Sequence, residues 1–328
     1  MTEQVQVTIV GTGCIGTSIG LALHRNTQAL LVVGHDKDPR NAGKARKLKA
    51  IDKTDWNLIN ACENADLILL AIPITGIEDT FKAIAPYLRE GCVITDTTSL
   101  KQPVVGWAEE LLPDTVSFVG GNPLVTSTGS GPEAAEANLF EDNLYCIAPA
   151  ANAHPDAVSL VSSLVSLLGS QAYYLDAAEH DGLMAGATHL PLVLALALTH
   201  CTTHEAGWRE MRKLAGTGFD TISRLVGEDP GAVADVLLAN RDHVVHWLDA
   251  YVNELKSVRN LIADEEAEAL AQISERSVAA RQQWLQDQRN RFSETPQMPE
   301  IDRHGLLRTF LPGKLIDRSR RPEDSGKR

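Results

Sequence analysis

The fold is decided by the stretch Val5-Gln6-Val7-Thr8-Ile9-Val10-Gly11-Thr12-Gly13-Cys14-Ile15-Gly16. An apolar, β-prone run ends at three glycines in the pattern GxGxxG, and a helical pattern covers Ile15–His24. In this context Gly11 permits a tight turn, Gly13 lets the backbone approach a pyrophosphate, and Gly16 allows close helix–strand packing. The N-terminus of the helix offers unpaired N–H groups to phosphates. The stretch therefore predicts a dinucleotide-binding α/β unit.

Asp36 follows the second predicted strand, Leu30–Val33. A carboxylate at this place accepts hydrogen bonds from ribose hydroxyls and repels a 2′-phosphate, which favours NAD over NADP. The nearby Lys37, Arg40 and Lys44 weaken that preference. The residues predicted to contact the cofactor are Gly11, Gly13, Cys14, Ile15, Gly16, Asp36, Ile72, Pro73 and Thr98.

Further short apolar runs alternate with helical patterns through the first half of the chain. Because continuous apolar strands between helices are typical of a parallel sheet covered on both faces, we expect a Rossmann-like, doubly wound α/β fold. The later strands are predicted at Asp66–Ala71, Val93–Thr95, Val116–Val119, Tyr145–Ala148 and Ala172–Leu175.

The pattern becomes helical after Asp176, and no strand is predicted beyond it. The sequence therefore divides into a dinucleotide-binding domain (1–175), a helical substrate and dimerisation domain (176–292), and a tail (293–328) that is either disordered or lies over a partner subunit. The helices of the second domain are predicted at His189–His204, Gly231–Leu238, Arg241–Ile262 and Glu265–Arg289.

Composition limits the classes of function. The 328 residues carry a formal net charge of -13, which argues against nucleic acid as the main partner. The start of the chain lacks the pattern of a signal peptide, and the apolar run Leu190–Leu198 is too short to span a bilayer. We therefore expect a cytoplasmic protein without a membrane or metal site, and we interpret the five scattered cysteines as buried thiols.

Several motifs in a fixed order carry a family resemblance. Besides the glycine-rich stretch, they are Asp96–Lys101 in the form D-x-x-S-x-K, the segment from Gly121 to Phe140, Asp176–Asp181 followed by Thr188–Pro191, and, more weakly, Gly218–Arg224. Over roughly residues 5–290, these motifs resemble those of the prephenate/arogenate dehydrogenase family. The resemblance implies oxidation of a cyclohexadienol carboxylate with NAD(P), loss of its ring carboxylate as CO2, an aromatic product, and a homodimer formed through the helical domain.

The resemblance also implies roles for individual residues. Ser99 would hydrogen-bond the ring hydroxyl, His189 would line the substrate pocket, and Arg224 would hold a substrate carboxylate through a bidentate contact. The substrate loop would include Ser127 and Thr128.

Each of these residues also has a structural interpretation. Ser99 and Lys101 could cap a helix, His189 could be a core histidine, and Arg224 could pair with an acidic neighbour, namely Asp220, Glu228 or Asp229. Glu179-His180-Asp181 is interpreted as a structural helix start, because adjacent residues on a helix do not share a face.

Asn122 is the main departure from the family pattern. It occupies the place of the histidine that takes the proton of the substrate hydroxyl, and an amide is not a base near neutral pH. Either Asn122 polarises the hydroxyl while Lys101, His189 or a water relayed by Ser99 accepts the proton, or the substrate has changed, or the protein binds NAD without turnover. We expect an NAD-dependent dehydrogenase acting on prephenate or arogenate. The alternatives are a relative acting on another cyclic hydroxy acid and a non-catalytic NAD sensor.

Overall fold

The computed structural model describes residues 5–27, 29–125, 129–226 and 230–294. The chain forms two compact units, of which the first ends at His180 and the second begins at Asp181. The boundary predicted from the sequence, after residue 175, lies five residues before this one.

The first unit is built on one eight-stranded sheet in the order β3-β2-β1-β4-β5-β6-β7-β8. Strand order reverses between β1 and β4, which is the topology of a doubly wound fold and confirms the predicted fold class. The strands are β1 (Val5–Val10), β2 (Leu30–His35), β3 (Lys53–Thr54), β4 (Leu67–Leu70), β5 (Val93–Asp96), β6 (Ser117–Pro123), β7 (Leu144–Pro149) and β8 (Gln171–Tyr174).

Two features of the sheet differ from the sequence-based expectation. β7 runs antiparallel to β6, whereas the other neighbouring strands are parallel. A parallel partner needs a helical crossover, and the described part of the β6–β7 connection contains only the 3-10 turn Pro132–Ala134. β3 was not predicted, because its two exposed residues carry no apolar pattern.

Helices cover the sheet and close the main core. β1 and β4 are buried along their whole length, as expected for central parallel strands. The core cluster joins them to apolar side chains of the first and last helices of the unit, including Ile19 and Leu164. The helices are α1 (Cys14–Asn26), α2 (Pro39–Lys47), α3 (Leu58–Cys62), α4 (Ile77–Ile84), α5 (Gln102–Leu111) and α6 (Pro155–Leu167).

The second unit is helical in its described residues, as predicted. The predicted helix His189–His204 begins one residue later in the structure, because a π-helical turn occupies Ala185–His189. Two short helices between residues 208 and 223 were not predicted. The helices are α7 (Ala177–Met184), which starts in the first unit, α8 (Leu190–Thr203), α9 (Trp208–Leu214), α10 (Thr217–Ser223), α11 (Pro230–Ala239), α12 (Arg241–Ala263) and α13 (Ala267–Glu294).

A continuous apolar helical segment runs from Ala177 to Thr203, longer than the apolar run recognised in the sequence. By length and composition alone it could cross a membrane, with a mean hydropathy of 1.6 in its most apolar window, of which 17% is buried within the chain. The segment also contains the polar sequence Glu179-His180-Asp181. A helix in the core of a soluble protein can have the same length and apolar composition. We therefore draw no membrane assignment from it.

The cysteines fit the expected pattern with one exception. Cys14, Cys62, Cys92 and Cys146 are buried thiols, whereas Cys201 is exposed. Burial raises the pKa of Cys62 to about 12 and that of Cys146 to about 11, which keeps both as unreactive thiols near neutral pH.

Candidate functional site

A cavity of about 550 Å³ opens at the carboxyl ends of β1, β2 and β4. Its wall includes the residues of the glycine-rich turn and the end of the second strand. Ligands of doubly wound folds bind at this edge, where the strand order reverses. The lining residues used below are Gly11, Gly13, Asp36, Ile72 and Pro73.

The three glycines of the turn have different environments. Gly11 has a φ of +93°, which disfavours other residues. A Cβ atom on Gly16 would lie 1.9 Å from the carbonyl oxygen of Gly11, so a side chain there is excluded by the chain itself. A Cβ atom on Gly13 would meet no protein atom within 4 Å. The absence of a side chain at Gly13 therefore leaves space beside the cavity, which fits a bound pyrophosphate.

This difference gives a prediction for two alanine variants. Gly13→Ala should keep the thermal stability of the wild type, because its methyl group would contact no protein atom. The variant should lose nucleotide affinity, because the methyl group would occupy space that we assign to the pyrophosphate. Gly16→Ala should unfold more easily, by about 1–3 kcal/mol, because the backbone must move to accept the methyl group. Thermal unfolding and NAD calorimetry on both variants test this. Equal losses of stability would contradict the assignment of Gly13 to the ligand.

Asp36 is held in place by the glycine-rich turn. Its Oδ2 accepts hydrogen bonds from the backbone N–H of Thr12, at 2.8 Å, and from the Thr12 hydroxyl, at 3.1 Å. Its Oδ1 accepts from the N–H of Asp38 at 2.9 Å. These bonds fix a partly exposed carboxylate at the cavity wall, where it can accept hydrogen bonds from ribose hydroxyls.

A second group of polar residues lies at the ends of β5 and β6, and we call Asp96, Thr98, Lys101 and Gly121 the strand-end cluster. Asp96 and Lys101 are fully buried and form an ion pair. The Lys101 ammonium also donates to the carbonyl oxygen of Gly121, at 2.6 Å, and to the Thr98 hydroxyl, at 3.3 Å. Asp96 accepts from the N–H groups of Gly121, at 3.0 Å, and Thr98, at 2.9 Å. The cluster therefore fixes the backbone directly before Asn122.

Asn122 lies on β6, opposite Cys146 of β7, rather than in a loop. It is 4% exposed, and its amide Nδ2 is 3.1 Å from the ring Nε2 of His180. The His180 side chain is fully buried and comes from the first turns of α7. As placed, the amide nitrogen donates and Nε2 accepts, so the neutral ring carries its proton on Nδ1. An imidazole therefore lies beside the position where the sequence lacks one.

In the second unit, Asn240 connects three helical segments. Its Nδ2 donates to the carbonyl oxygen of Asp181, at 2.9 Å, and contacts Nδ1 of His189, at 3.1 Å. Its Oδ1 contacts Nδ1 of His243, at 2.9 Å. A carbonyl oxygen can only accept, so the amide orientation is determined and Nδ1 of His189 must accept as well. A neutral His189 therefore carries its proton on Nε2.

Comparisons with known proteins show which family the chain resembles. Residues 19–174 match the nucleotide-binding domain of prephenate dehydrogenase, and residues 176–275 match its dimerization domain. The chain is 31% identical over 271 residues to the prephenate dehydrogenase of Bacillus subtilis, covering 80% of this chain and 72% of that protein. The chain belongs to the prephenate dehydrogenase family.

Two further members of the prephenate dehydrogenase group extend the likeness. The cyclohexadienyl dehydrogenase of Zymomonas mobilis is 29% identical over 284 residues, covering 86% of this chain and 96% of that protein. A crystal structure of prephenate dehydrogenase from A. aeolicus, in complex with hydroxyphenyl propionate and NAD+, has 26% sequence identity and a TM-score of 0.81, covering 86% of this chain and 98% of that one. These matches confirm the family resemblance seen in the sequence. Members of this family are NAD-dependent oxidoreductases.

The remaining predicted site residues lie in varied surroundings. Ser99 is partly exposed, one residue after Thr98 of the strand-end cluster. Arg224 is exposed on the second unit and pairs with Asp220, one of its expected structural partners. Cys14 is buried and donates to the carbonyl oxygen of Ala134, whereas Ile15 is partly buried at the start of α1. Ser127 and Thr128 lie outside the described residues.

Sequence reasoning did not identify Asp96, His180 and Asn240 as members of these networks. His180 was interpreted as structural, since its partner Asn122 is 58 positions away and periodicity carries no information about such a pair. Asp96 gave one usable signal, an acidic residue at the end of an apolar strand. Among the residues that the structure describes, no group of three or more His, Cys, Asp or Glu side chains is placed to hold a metal ion.

Proposed function

We propose that the protein is an NAD-dependent dehydrogenase that oxidises the ring hydroxyl of prephenate or arogenate. The main support is a shared location in a member of this family. The nucleotide cavity and the polar residues at the ends of β5 and β6 lie at the same edge of the sheet. Both lie at the carboxyl edge of one sheet, where a doubly wound fold binds its ligands.

The first unit fits the cofactor. A pyrophosphate fits the space beside Gly13 and the N-terminus of α1. A ribose fits beside the carboxylate of Asp36, which can accept hydrogen bonds from its hydroxyls. Asp36 further favours NAD over NADP, because its charge repels a 2′-phosphate. When bound, NAD supplies the hydride acceptor. The protein binds both reactants and must supply a group that accepts the proton of the substrate hydroxyl.

The second unit carries a histidine of defined tautomer and an apolar groove. His189 has its proton on Nε2, so this nitrogen is a hydrogen-bond donor. Helices α8 and α12 form an apolar groove of about 410 Å³, lined by Leu194, Leu248 and Leu255 among others. In a chain that contains the family's dimerization domain, such a groove favours a homodimer. The tyrosine pathway and a cytoplasmic location follow from the same assignment.

The test of this proposal is an assay of NADH absorbance. Purified protein with NAD should form NADH when either prephenate or arogenate is added, and the ratio of the two kcat/KM values identifies the substrate. The Gly13→Ala variant is the matched control, because it should fold but bind the nucleotide poorly. NAD binding without NADH formation from either compound would contradict the proposal and leave a nucleotide-binding protein with another role.

A further inference from the structure

We propose that His180 accepts the proton of the substrate hydroxyl, with Asn122 as the positioning residue that orients its ring. The inference rests on the proposed function and names a residue for its proton-transfer step. It starts from the 3.1 Å contact between Asn122 Nδ2 and His180 Nε2, which brings an imidazole from α7 to the end of β6.

Lys101 is unsuited to be the acceptor. An ammonium has three N–H groups and no lone pair, and those of Lys101 are directed at Asp96, Gly121 and Thr98. Deprotonation would leave the buried Asp96 carboxylate without its counter-charge, which is costly. Lys101 therefore acts as a buried cation that fixes the strand-end cluster.

His189 is also unsuited. The amide of Asn240 is oriented by the carbonyl oxygen of Asp181, and this directs an N–H group at Nδ1 of His189. The neutral ring then carries its proton on Nε2 and has its basic nitrogen turned to Asn240. Ser99 has a hydroxyl that can relay a proton but cannot keep one near neutral pH.

His180 has the opposite tautomer. Its Nε2 accepts from Asn122, so the basic nitrogen faces the residue that occupies the family's histidine position. A substrate hydroxyl that displaces the amide N–H replaces one hydrogen bond to Nε2 with another. Gly121, the residue before Asn122, is bonded through its N–H to Asp96 and through its carbonyl oxygen to Lys101. Asn122 is therefore held in place and orients the His180 ring before the substrate hydroxyl takes over the hydrogen bond to Nε2.

The step balances without another reactant. The C–H bond of the carbinol carbon breaks and its electron pair leaves as hydride to NAD, while the O–H bond breaks, its proton moves to Nε2 and its electrons form the C=O bond. The ring carboxylate then leaves as CO2, and the electrons of the broken C–C bond complete the aromatic ring and return to the oxygen. That oxygen takes the proton back from His180, so the imidazole serves as base and then as acid.

The experiment uses the full chain with NAD and prephenate or arogenate, whichever the wild type oxidises. His180→Asn should lower kcat by about 10²–10⁴ while NAD affinity stays close to that of the wild type. It should also remove the fall in kcat/KM on the acid side of the pH profile, which reports protonation of the base. His154→Asn is the control, because His154 accepts from the N–H of Asp156 at the start of α6 and asparagine also caps helices.

The exchange variant Asn122→His/His180→Asn keeps the pair and moves the imidazole to β6. It should be at least about tenfold more active than His180→Asn and should regain the acid limb of the profile. ¹⁵N spectra of the wild type should show the Nδ1–H tautomer for His180.

Three results would overturn the inference: a His180→Asn variant with wild-type kcat and pH profile, an exchange variant no better than the single one, or a His180 ring protonated on Nε2. A wild type that oxidises neither compound would overturn the proposed function, and this inference with it.

Discussion

Replacing Lys101 with methionine is expected to lower the free energy of unfolding by about 3–5 kcal/mol, because one partner of a buried ion pair is removed. The Lys101 and Asp96 side chains are fully buried, and methionine leaves the Asp96 carboxylate uncompensated. The carbonyl oxygen of Gly121 also loses a donor at 2.6 Å. Because Gly121 precedes Asn122, we expect the same variant to lose dehydrogenase activity. Chemical denaturation followed by circular dichroism measures the loss of stability.

A matched substitution separates the buried pair from the general effect of removing a lysine. Lys82 pairs with Glu78 on the surface of α4, and both side chains are about half exposed. Such exposed pairs contribute about 0–1 kcal/mol, so Lys82→Met should leave stability nearly unchanged. If the Lys101→Met and Lys82→Met variants unfold at the same denaturant concentration, the strand-end cluster does not stabilise the fold as described.

Replacing Asn240 with alanine is the second large expected effect, with a loss of about 2–4 kcal/mol in the free energy of unfolding. Asn240 is 4% exposed and bonds to Asp181, His189 and His243. Its removal deletes three side-chain hydrogen bonds inside the second unit, and each such bond contributes about 0.5–1.5 kcal/mol. The constraint on the His189 tautomer is lost as well, so ¹⁵N spectra should show a mixture of Nδ1–H and Nε2–H forms.

Asn253 offers the comparison for this variant. It is an exposed residue of α12, the helix that Asn240 precedes. Surface substitutions of this kind usually change stability by less than about 0.5 kcal/mol. An Asn240→Ala variant that is as stable as Asn253→Ala, with the His189 tautomer unchanged, would contradict the role given to Asn240.

The sequence predicted the nucleotide-binding half of the molecule well because its signals are local. β1, the glycine-rich turn and α1 are contiguous, and steric limits at Gly11 and Gly16 follow from the backbone alone. The direction of β7 was not predictable in the same way. It depends on a connection without a helix, whereas the apolar pattern of a strand is the same in either direction.

The contact between Asn122 and His180 could not be predicted from the sequence motifs taken one at a time. Asn122 was recognised as the departure from the family pattern, but its neighbour His180 belongs to another motif and another element. Likewise, the tautomer of His189 depends on Asn240, which is 51 positions away. Long-range side-chain contacts of this kind are set by tertiary packing, and no spacing in the sequence encodes them.

We expect the protein to transfer a hydride from a cyclohexadienol to NAD despite asparagine at position 122. The most direct test uses prephenate and arogenate carrying deuterium on the carbinol carbon, with mass spectrometry of the nicotinamide product. We expect reduced cofactor containing one deuterium, together with an equal amount of aromatic product. Bound NAD that stays oxidised, with both compounds recovered intact, would contradict it.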